Sequence, residues 1–364
     1  MNLFEEQRLV DVCSYLRSGK TITASEISTH GEYPVFGGNG CRGYTAHYNF
    51  SGECAIIGRQ GAFCGNVRYF SGNAYMTEHA IIACANNKNN TRYLSYLLST
   101  MNLGRLSGQS AQPGLSVKYL SNVKVLIPIL TIQKKIVSIL SLLDDKIEVN
   151  NKLNDNLAEI LQTLYQQQFC YSKGTGNQGR LADLCDYSKT KVAVAELSLS
   201  TYYSTENMLP GKAGAVDAAS LPTTAQATKC QIGDVLISNI RPYFKKIVYC
   251  HSDCGCSADV LCFTPKVSQL SAYLYSTLYV DSFFDFMVAG SKGTKMPRGD
   301  KQQIMAYVIH IPTEEEIRTF NKLAIPILGQ MESTHRENMR LSSLRDSLLP
   351  KLMSGELDVS ELDI

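Results

Sequence analysis

The segment Phe36-Gly37-Gly38-Asn39-Gly40 is the first stretch whose residue types and spacing could do chemistry. It fits F-x-G-x-G, a spacing that can hold the cofactor of an adenine methyltransferase. Such an enzyme also needs an Asn/Asp-Pro-Pro-aromatic tetrapeptide, and the chain contains no Pro-Pro dipeptide. We therefore interpret the segment as a glycine-rich turn, in which glycine supplies backbone conformations that other residues disfavour.

Other catalytic and nucleotide-binding motifs are also missing from the sequence. There is no G-x-x-x-x-G-K-[ST] phosphate loop, because Gly293-Thr294-Lys295 has the wrong order, and there is no H-E-x-x-H or G-x-S-x-G motif. With 12 cysteines and 6 histidines, a pairing of some cysteine with His79 or His251 arises easily by chance and does not indicate a nucleophile. We expect no catalytic residues and no cofactor.

Four cysteines lie close together in the second half of the chain, at Cys250, Cys254, Cys256 and Cys262, with His251 among them. A zinc site usually takes four ligands in two close pairs, and this spacing is irregular. The sequence favours ordinary thiols in or near strands over a metal site, and it leaves the metal site open as the alternative.

Basic, amide and aromatic side chains cluster at the predicted turns, and their chemistry is that of binding. Arg, Gln and Asn can contact base edges through paired hydrogen bonds, whereas Lys and Ser bind phosphates. For any single residue a solvated loop is the slightly favoured interpretation, but clusters at matching places in both halves favour contact with DNA. The candidate residues are Asn39, Arg42, Tyr44, Arg59, Gln60, Gln109, Ser110 and Gln112 in the first half, and Asn239, Arg241, Tyr243, Lys245, Lys246, Lys292, Lys295 and Arg298 in the second.

The elements that must position these turns occur twice along the chain. Residues 9–13 (LVDVC) resemble residues 181–185 (LADLC), and residues 52–57 (GECAII) resemble residues 233–238 (GDVLIS), a spacing of about 180 residues. This predicts an internal, pseudo-two-fold repeat of two similar α+β modules built from short strands and helices. Strands are expected at 55–57, 80–83, 123–127, 235–237 and 308–311, and short helices at 92–101 and 270–286.

Each module is followed by a long helical segment with the pattern of a coiled coil. Residues recur at alternating spacings of four and three, and two such helices within one chain most simply pair antiparallel. Thr313, with Glu316 three residues later, predicts a capping box at the start of the second helix, and Pro326 predicts a kink. Asn154 and Asn338 share one repeat position, where a polar side chain fixes the register. The seam residues are Ile136, Leu140, Leu143, Ile147, Asn154, Leu157, Leu161, Ile327, Met331, Asn338, Leu341 and Leu348.

Composition and charge agree with a folded protein that binds a polyanion. Hydrophobic residues make up 44% of the 364 residues and charged residues 19%, which excludes global disorder and fits about two domains. The net charge of +2 conceals an alternation, because residues 1–130 and 173–312 have a basic excess and residues 131–172 and 313–364 an acidic excess. No apolar run reaches the roughly 18 residues that span a bilayer, and the N-terminus lacks the features of a signal peptide. We expect a cytoplasmic protein with reduced cysteines.

Five further segments are together typical of one protein family. They are residues 34–44 (PVFGGNGCRGY), 56–61 (IIGRQG), 108–115 (GQSAQPGL), Ile127-Pro128 leading to 133–136 (QKKI), and 349–357 (LPKLMSGEL). Through these segments the chain resembles the specificity (S) subunits of type I restriction–modification systems, and the resemblance extends over essentially its whole length.

The resemblance implies an architecture and a set of partners. Residues 1–130 and 173–312 would be target-recognition domains, each recognising one half of a split, asymmetric site in double-stranded DNA. Residues 131–172 and 313–364 would be conserved helices that pair as an antiparallel spacer and bind two adenine methyltransferase subunits, with restriction motor subunits able to join. About 37 helical residues would span roughly 55 Å, or about 16 base pairs. The S subunit itself would carry no catalytic residues.

Two other functions remain open at this point. One is a coiled-coil scaffold with protein- or carbohydrate-binding heads, which would need no basic loops. The other is an orphan DNA-modifying enzyme, which would need catalytic motifs that the sequence does not display.

Overall fold

The computed structural model describes residues 4–107, 114–170 and 177–362. The chain divides into two compact units. The first unit comprises Met1–Ile147 and Leu341–Ile364, and the second comprises Glu148–Arg340. Gln109, Ser110 and Gln112, three of the predicted DNA-binding residues, lie outside the described residues.

The first unit is built on a six-stranded sheet with the strand order β2-β7-β5-β6-β3-β4, beside a separate antiparallel pair of β1 and β8. Strands β3 and β6 pair in parallel, and β5 pairs antiparallel with both β6 and β7. The elements are β1 (Phe4–Arg8), α1 (Leu9–Val12), β2 (Cys13–Ser18), β3 (Tyr33–Gly37), β4 (Gly40–Thr45), β5 (Phe50–Gly58), β6 (Val67–Met76), β7 (Ala80–Ala85), α2 (Thr91–Thr100), α3 (Val117–Ser121), β8 (Lys124–Pro128) and the start of α4 (Leu130–Tyr165).

Strand β5 explains why this sheet is covered on both faces. Successive side chains of a strand point to opposite faces. Ala55 and Ile57 lie in the core that contains Leu94 of α2, whereas Cys54 and Ile56 belong to a smaller apolar cluster on the other side. The run of five buried residues at the end of β5 therefore carries the strand through the interior to the turn at Arg59.

The second unit contains two four-stranded sheets and another antiparallel strand pair. The strand orders are β10-β17-β14-β15 and β11-β13-β16-β12, and β9 pairs with β18. The elements are β9 (Asn177–Arg180), α5 (Leu181–Leu184), β10 (Cys185–Tyr187), β11 (Lys191–Ala193), β12 (Tyr202–Tyr203), β13 (Gln226–Cys230), β14 (Val235–Ser238), β15 (Ile247–Tyr249), β16 (Cys254–Cys256), β17 (Val260–Pro265), α6 (Ser271–Tyr279), α7 (Asp281–Ala289), α8 (Lys301–Met305), β18 (Val308–Ile311) and the start of α9 (Glu314–Ser354).

The predicted strands and the first short helix are confirmed, and one predicted helix is wrong. The five predicted strands fall within β5, β7, β8, β14 and β18 to within one residue, and α2 matches the helix expected at 92–101. The helix expected at 270–286 is two helices, α6 and α7. Val280 between them has an extended backbone (φ −66°, ψ 146°), which ends one helix and lets Asp281 begin the next.

The seam residues of α4 and α9 are all buried or partly buried. In the first unit Ile136 and Leu140 pack in the same core as Leu352 of α9. In the second unit Leu161 packs in the same core as Phe320. The long helices therefore contribute to the core of each unit.

The N-terminus of α9 has the predicted capping box. The backbone N–H of Thr313 donates to Glu316 Oε2 over 2.7 Å, and the backbone N–H of Glu316 donates to Thr313 Oγ1 over 3.3 Å. The hydrogen bond from the Thr313 N–H to the carboxylate lowers the pKa of Glu316. The helix is continuous across Pro326, and the kink there stays a prediction. Along the described part of the chain, no helix is long and apolar enough to cross a membrane.

Candidate DNA interface

In the first unit, the glycine-rich turn lies against the end of β5. The turn Gly38-Asn39 joins β3 to β4, and a Cβ atom added to Gly38 would lie 3.4 Å from the carbonyl oxygen of Gln60. Asn39 itself is exposed. The fold thus brings Asn39 beside the Arg59-Gln60 turn, about 20 residues away in the sequence.

Backbone hydrogen bonds on both sides hold Arg59, which directly follows β5. Its N–H donates to the carbonyl of His79 over 2.9 Å, and its carbonyl accepts from the N–H of Leu115 over 2.8 Å. Its half-buried guanidinium donates to the carbonyl of Glu78 over 3.3 Å. Arg59 is therefore held in place by contacts to neighbouring segments.

A shallow groove of about 450 Å³ opens beside Arg59. Gln60, which is exposed, forms an isolated bridge with Gly114, and both residues line this groove. Lys118 also lines the groove and is exposed, although it was not among the predicted residues. No sequence motif identifies Lys118 as a candidate. Its position in the groove depends on the bridge between Gln60 and Gly114.

Three more side chains of the first unit are exposed on β4 and β6. Arg42 and Tyr44 lie on β4, as predicted candidates, and Tyr44 exchanges backbone hydrogen bonds with Ser28. Arg68 of β6 was not predicted. It lies over the glycine-rich turn, because a Cβ atom on Gly40 would be 2.5 Å from Arg68 Nη1. The pairing of Ile56 with Arg68 across β5 and β6 is the signal that could have located it.

In the second unit, the two predicted clusters meet although they are about 50 residues apart in the sequence. The N–H of Arg241 donates to the carbonyl of Pro297 over 2.8 Å, and Ile240 forms a bridge with Arg298. Lys292 and Arg298 exchange two backbone hydrogen bonds of 2.9 Å and close a hairpin with Lys295 in its exposed loop. Residues 239–246 and 291–299 therefore form one surface.

Asn239, which directly follows β14, has the hydrogen-bond pattern of Arg59. Its N–H donates to the carbonyl of Asp259 over 2.9 Å, and its carbonyl accepts from the N–H of Gly299 over 3.3 Å. Its side chain is 8% exposed, and its Oδ1 has no hydrogen-bond partner among the described residues. Two residues after Asn239, Arg241 has a left-handed backbone (φ +51°). Gly61, two residues after Arg59, also has a positive φ (+79°).

Most of the predicted cations of the second unit already have partners within the protein. Lys245 Nζ lies 3.0 Å from Asp281 Oδ1, Lys292 Nζ lies 2.7 Å from Asp300 Oδ2, and Arg298 Nη2 lies 2.8 Å from Asp259 Oδ1. Lys246 Nζ donates to the carbonyl of Thr205 over 2.6 Å, and burial lowers its pKa. Lys295 is exposed and has no ion-pair partner among the described residues.

Two exposed aromatic rings lie beside these cations. Tyr243 and Phe244 are 50% and 40% exposed, and their ring centroids are 4.8 Å apart. Aromatic side chains that are exposed together next to basic residues are suited to contact with nucleotides.

The four clustered cysteines pack together inside the second unit. Cys250, Cys254, Cys256 and Cys262 are buried in one apolar cluster, to which Cys230 also belongs. Cys250 Sγ and Cys254 Sγ are 3.6 Å apart, and the thiol of Cys262 donates to Asp234 Oδ2 over 3.1 Å. In the part of the chain that the structure describes, no three His, Cys, Asp or Glu side chains are arranged to hold a metal ion.

Comparison with known proteins finds a family match in the first part of the chain. Residues 1–159 match the family of the type I restriction modification DNA specificity domain. The chain is 41% identical over 133 residues to the specificity subunit of the type I restriction enzyme EcoprrI from Escherichia coli, which is 35% of this chain and 33% of that protein. It is 24% identical over 305 residues to the specificity subunit of the type I restriction enzyme MjaIX from Methanocaldococcus jannaschii, which is 75% of this chain and 70% of that protein.

A solved structure has the same fold over nearly the whole length. The crystal structure of a type I restriction–modification system S subunit from M. genitalium covers 96% of each chain with a TM-score of 0.65 and 14% sequence identity. The resemblance seen in the sequence is thereby confirmed. The chain is therefore similar to the specificity subunits of type I restriction enzymes, and its residues 1–159 carry the match to the type I restriction modification DNA specificity domain.

Proposed function

We propose that this chain is the DNA sequence-recognition subunit of a type I restriction–modification complex and that it recognises a bipartite, asymmetric site. One observation carries the proposal. In each unit, segments that are distant in the sequence and rich in Arg, Lys, Asn and Gln meet at the turn that follows a buried central strand. Such side chains contact phosphates and base edges.

The proposed recognition domains are residues 1–130 and 173–312, related by an internal repeat. Equivalent backbone hydrogen bonds support this repeat. Arg59 and Asn239 make equivalent backbone hydrogen bonds. A second equivalent pair is the N–H of Leu9 with the carbonyl of Val123 over 2.8 Å, and the N–H of Leu181 with the carbonyl of Tyr307 over 2.9 Å. Similar frames with different side chains would recognise different half-sites.

The proposed spacer consists of residues 131–172 and 313–364, paired as an antiparallel coiled coil. Within the second unit, Asn150 Nδ2 donates to Asn338 Oδ1 over 2.8 Å, and Asn154 Nδ2 donates to the carbonyl of Met331 over 3.2 Å. Asn154 follows Asn150 on α4, whereas its partner Met331 precedes Asn338 on α9. This order is that of antiparallel helices. The spacer would separate the two recognition domains by a fixed distance.

The proposed partners are double-stranded DNA and two adenine methyltransferase subunits, which restriction motor subunits can join. In this assembly the chain acts in the cytoplasm, where its DNA is, and contributes recognition without catalysis and without a cofactor of its own. The partner subunits contribute the methylation and cleavage chemistry.

A methylation assay with purified components tests this proposal. The chain with S-adenosylmethionine and DNA should transfer no methyl groups, and addition of its methyltransferase should produce adenine methylation at one sequence. Arg59→Ala should relax a single base in one half-site at a cost of about 1–3 kcal/mol, because one bidentate contact to a guanine is lost. Methylation by the pure chain would overturn the proposal in favour of an orphan enzyme. If the chain fails to bind DNA in a salt-dependent way, a scaffold with protein- or carbohydrate-binding heads becomes the better explanation.

A further inference from the structure

Two glycines of the segment Phe36-Gly37-Gly38-Asn39-Gly40 make room for two arginine side chains. A Cβ atom on Gly37 would lie 2.8 Å from Arg42 Cδ, and a Cβ atom on Gly40 would lie 2.5 Å from Arg68 Nη1 and 3.0 Å from its Cζ. Real Cβ atoms essentially never approach this closely, so any residue larger than glycine would make the arginine side chain shift from this position. We call Gly37 and Gly40 the arginine seats.

The two seated arginines differ from Arg59 in their surroundings. Arg59 is half-buried and donates to the carbonyl of Glu78. Arg42 and Arg68 are exposed, and neither has a hydrogen-bond or ion-pair partner among the described residues. Glu78, the carboxylate beside the Arg59 turn, has its Oε1 3.3 Å from His79 Nε2. The positive charges of Arg42 and Arg68 are therefore not neutralised by any described carboxylate.

We propose that the arginine seats preorganise Arg42 and Arg68 to bind two phosphates of the DNA backbone, next to the base contact of Arg59. This inference rests on the proposed DNA-recognition function and assigns a role to the glycine-rich segment. A guanidinium is a planar fork that matches phosphate oxygens, and it keeps its charge at every relevant pH. Packing against a glycine restricts the side chain before DNA arrives, so less conformational entropy is lost on binding.

Phosphate contact fits these two arginines better than base contact. A side chain that selects a base needs a fixed orientation from neighbouring hydrogen bonds, as Arg59 has. A phosphate contact needs an accessible, unneutralised charge, as Arg42 and Arg68 have. Removal of a phosphate contact should weaken binding to all sequences alike, whereas removal of a base contact should relax the preference for one base.

The test measures binding of the full-length chain to a fluorescein-labelled duplex of randomised sequence over a series of salt concentrations. Arg68→Ala and Arg42→Ala should each weaken binding several-fold and reduce the salt slope by about one unit, because one phosphate contact is lost. Gly40→Ala and Gly37→Ala should weaken binding in the same direction as Arg68→Ala and Arg42→Ala, and by less, because the arginine shifts but keeps its charge. Arg68→Lys should restore the slope, because it restores the charge.

A matched control separates loss of the seat from backbone strain. Gly40 has a φ of +99°, so alanine is strained there whatever the space. Gly52 lies in the same sheet with a φ of +119°, and an added Cβ would meet nothing within 4 Å. Gly52→Ala should therefore show a similar loss of thermal stability and unchanged DNA binding. Gly37 has no left-handed φ, so Gly37→Ala tests its seat free of this strain.

Each other outcome identifies what has failed. If the wild-type chain does not bind the duplex, the proposed DNA-recognition function fails. If it binds and the variants at both glycines match it, or those at both arginines match it, the arginine-seat inference is overturned while the function stands. If selection from the randomised duplex shows that Arg68→Ala relaxes one base instead of weakening all sequences, the phosphate role is wrong.

Discussion

Asp281 shows how single ion pairs shape the candidate interface of the second unit. Its Oδ1 lies 2.7 Å from Lys212 Nζ and 3.0 Å from Lys245 Nζ, and hydrogen bonds from both lysines lower its pKa. Lys245 is thereby held at the first turn of α7, whereas Lys295 has no described ion-pair partner. Of these two lysines, Lys295 has the charge more available to a phosphate.

The stability contributed by Asp281 should depend on pH. Because the pKa of Asp281 is lower in the folded state than in the unfolded state, the pairing stabilises above the unfolded pKa and is lost as the pH falls through the folded one. Asp281→Asn should lower the free energy of unfolding at neutral pH by at most about 1 kcal/mol, allowing for solvent screening. In urea unfolding, the difference in free energy of unfolding between the wild type and Asp281→Asn should be smaller at acid pH than at neutral pH. Asp285→Asn, an exposed change on the same helix, should show no such trend.

At the residue scale the sequence identifies Arg59 and misses Arg68. Arg59 directly follows an apolar strand and stands before Gln60 and Gly61, so local residue types mark it. Arg68 has no local signal, because its position depends on the pairing of β5 with β6 and on the space above Gly40. Side chains placed by long-range pairing cannot be found from their own neighbours in the chain.

At the element scale the long helices were the easiest part to predict. A heptad pattern is local and repeats many times, and the Thr313–Glu316 capping box needs only four residues. Strands such as β11 (Lys191–Ala193) and β12 (Tyr202–Tyr203) were not predicted, because two or three residues are too few to show an alternating pattern. The break at Val280 was missed for another reason: the segment is apolar throughout, so periodicity does not mark where one helix ends.

The buried amides between α4 and α9 give an element-scale prediction. Asn150 and Asn338 are 2% and 9% exposed, and Asn338 Nδ2 also donates to Asn151 Oδ1 over 2.8 Å. Asn338→Ala removes an acceptor from the buried Asn150 amide and should lower the free energy of unfolding by about 1–3 kcal/mol. Asn156→Ala, on the exposed face of α4, should change it by less than about 0.5 kcal/mol. Equal effects in a urea titration would mean that the amide network does not stabilise the helix pair.

At the scale of the whole molecule, the proposed function assigns one role to the turns and another to the long helices. The turns at Arg59 and Asn239 would select bases, and the helices would set the distance between the half-sites. This division was accessible from the sequence because repeat, heptads and family motifs are all patterns of the linear chain. The bases themselves are not, because they depend on where side chains such as Arg68 and Lys295 meet the DNA.

Shortening the spacer tests this division most directly. One heptad is deleted from residues 133–169 and its partner heptad from residues 317–353, and adenine methylation is mapped genome-wide in cells that express the chain with its methyltransferase. Seven helical residues correspond to about 10 Å, or about three base pairs. We predict that the wild-type chain directs methylation to a bipartite motif and that the shortened chain keeps both half-site sequences with a changed gap. Changed bases with an unchanged gap would contradict the account.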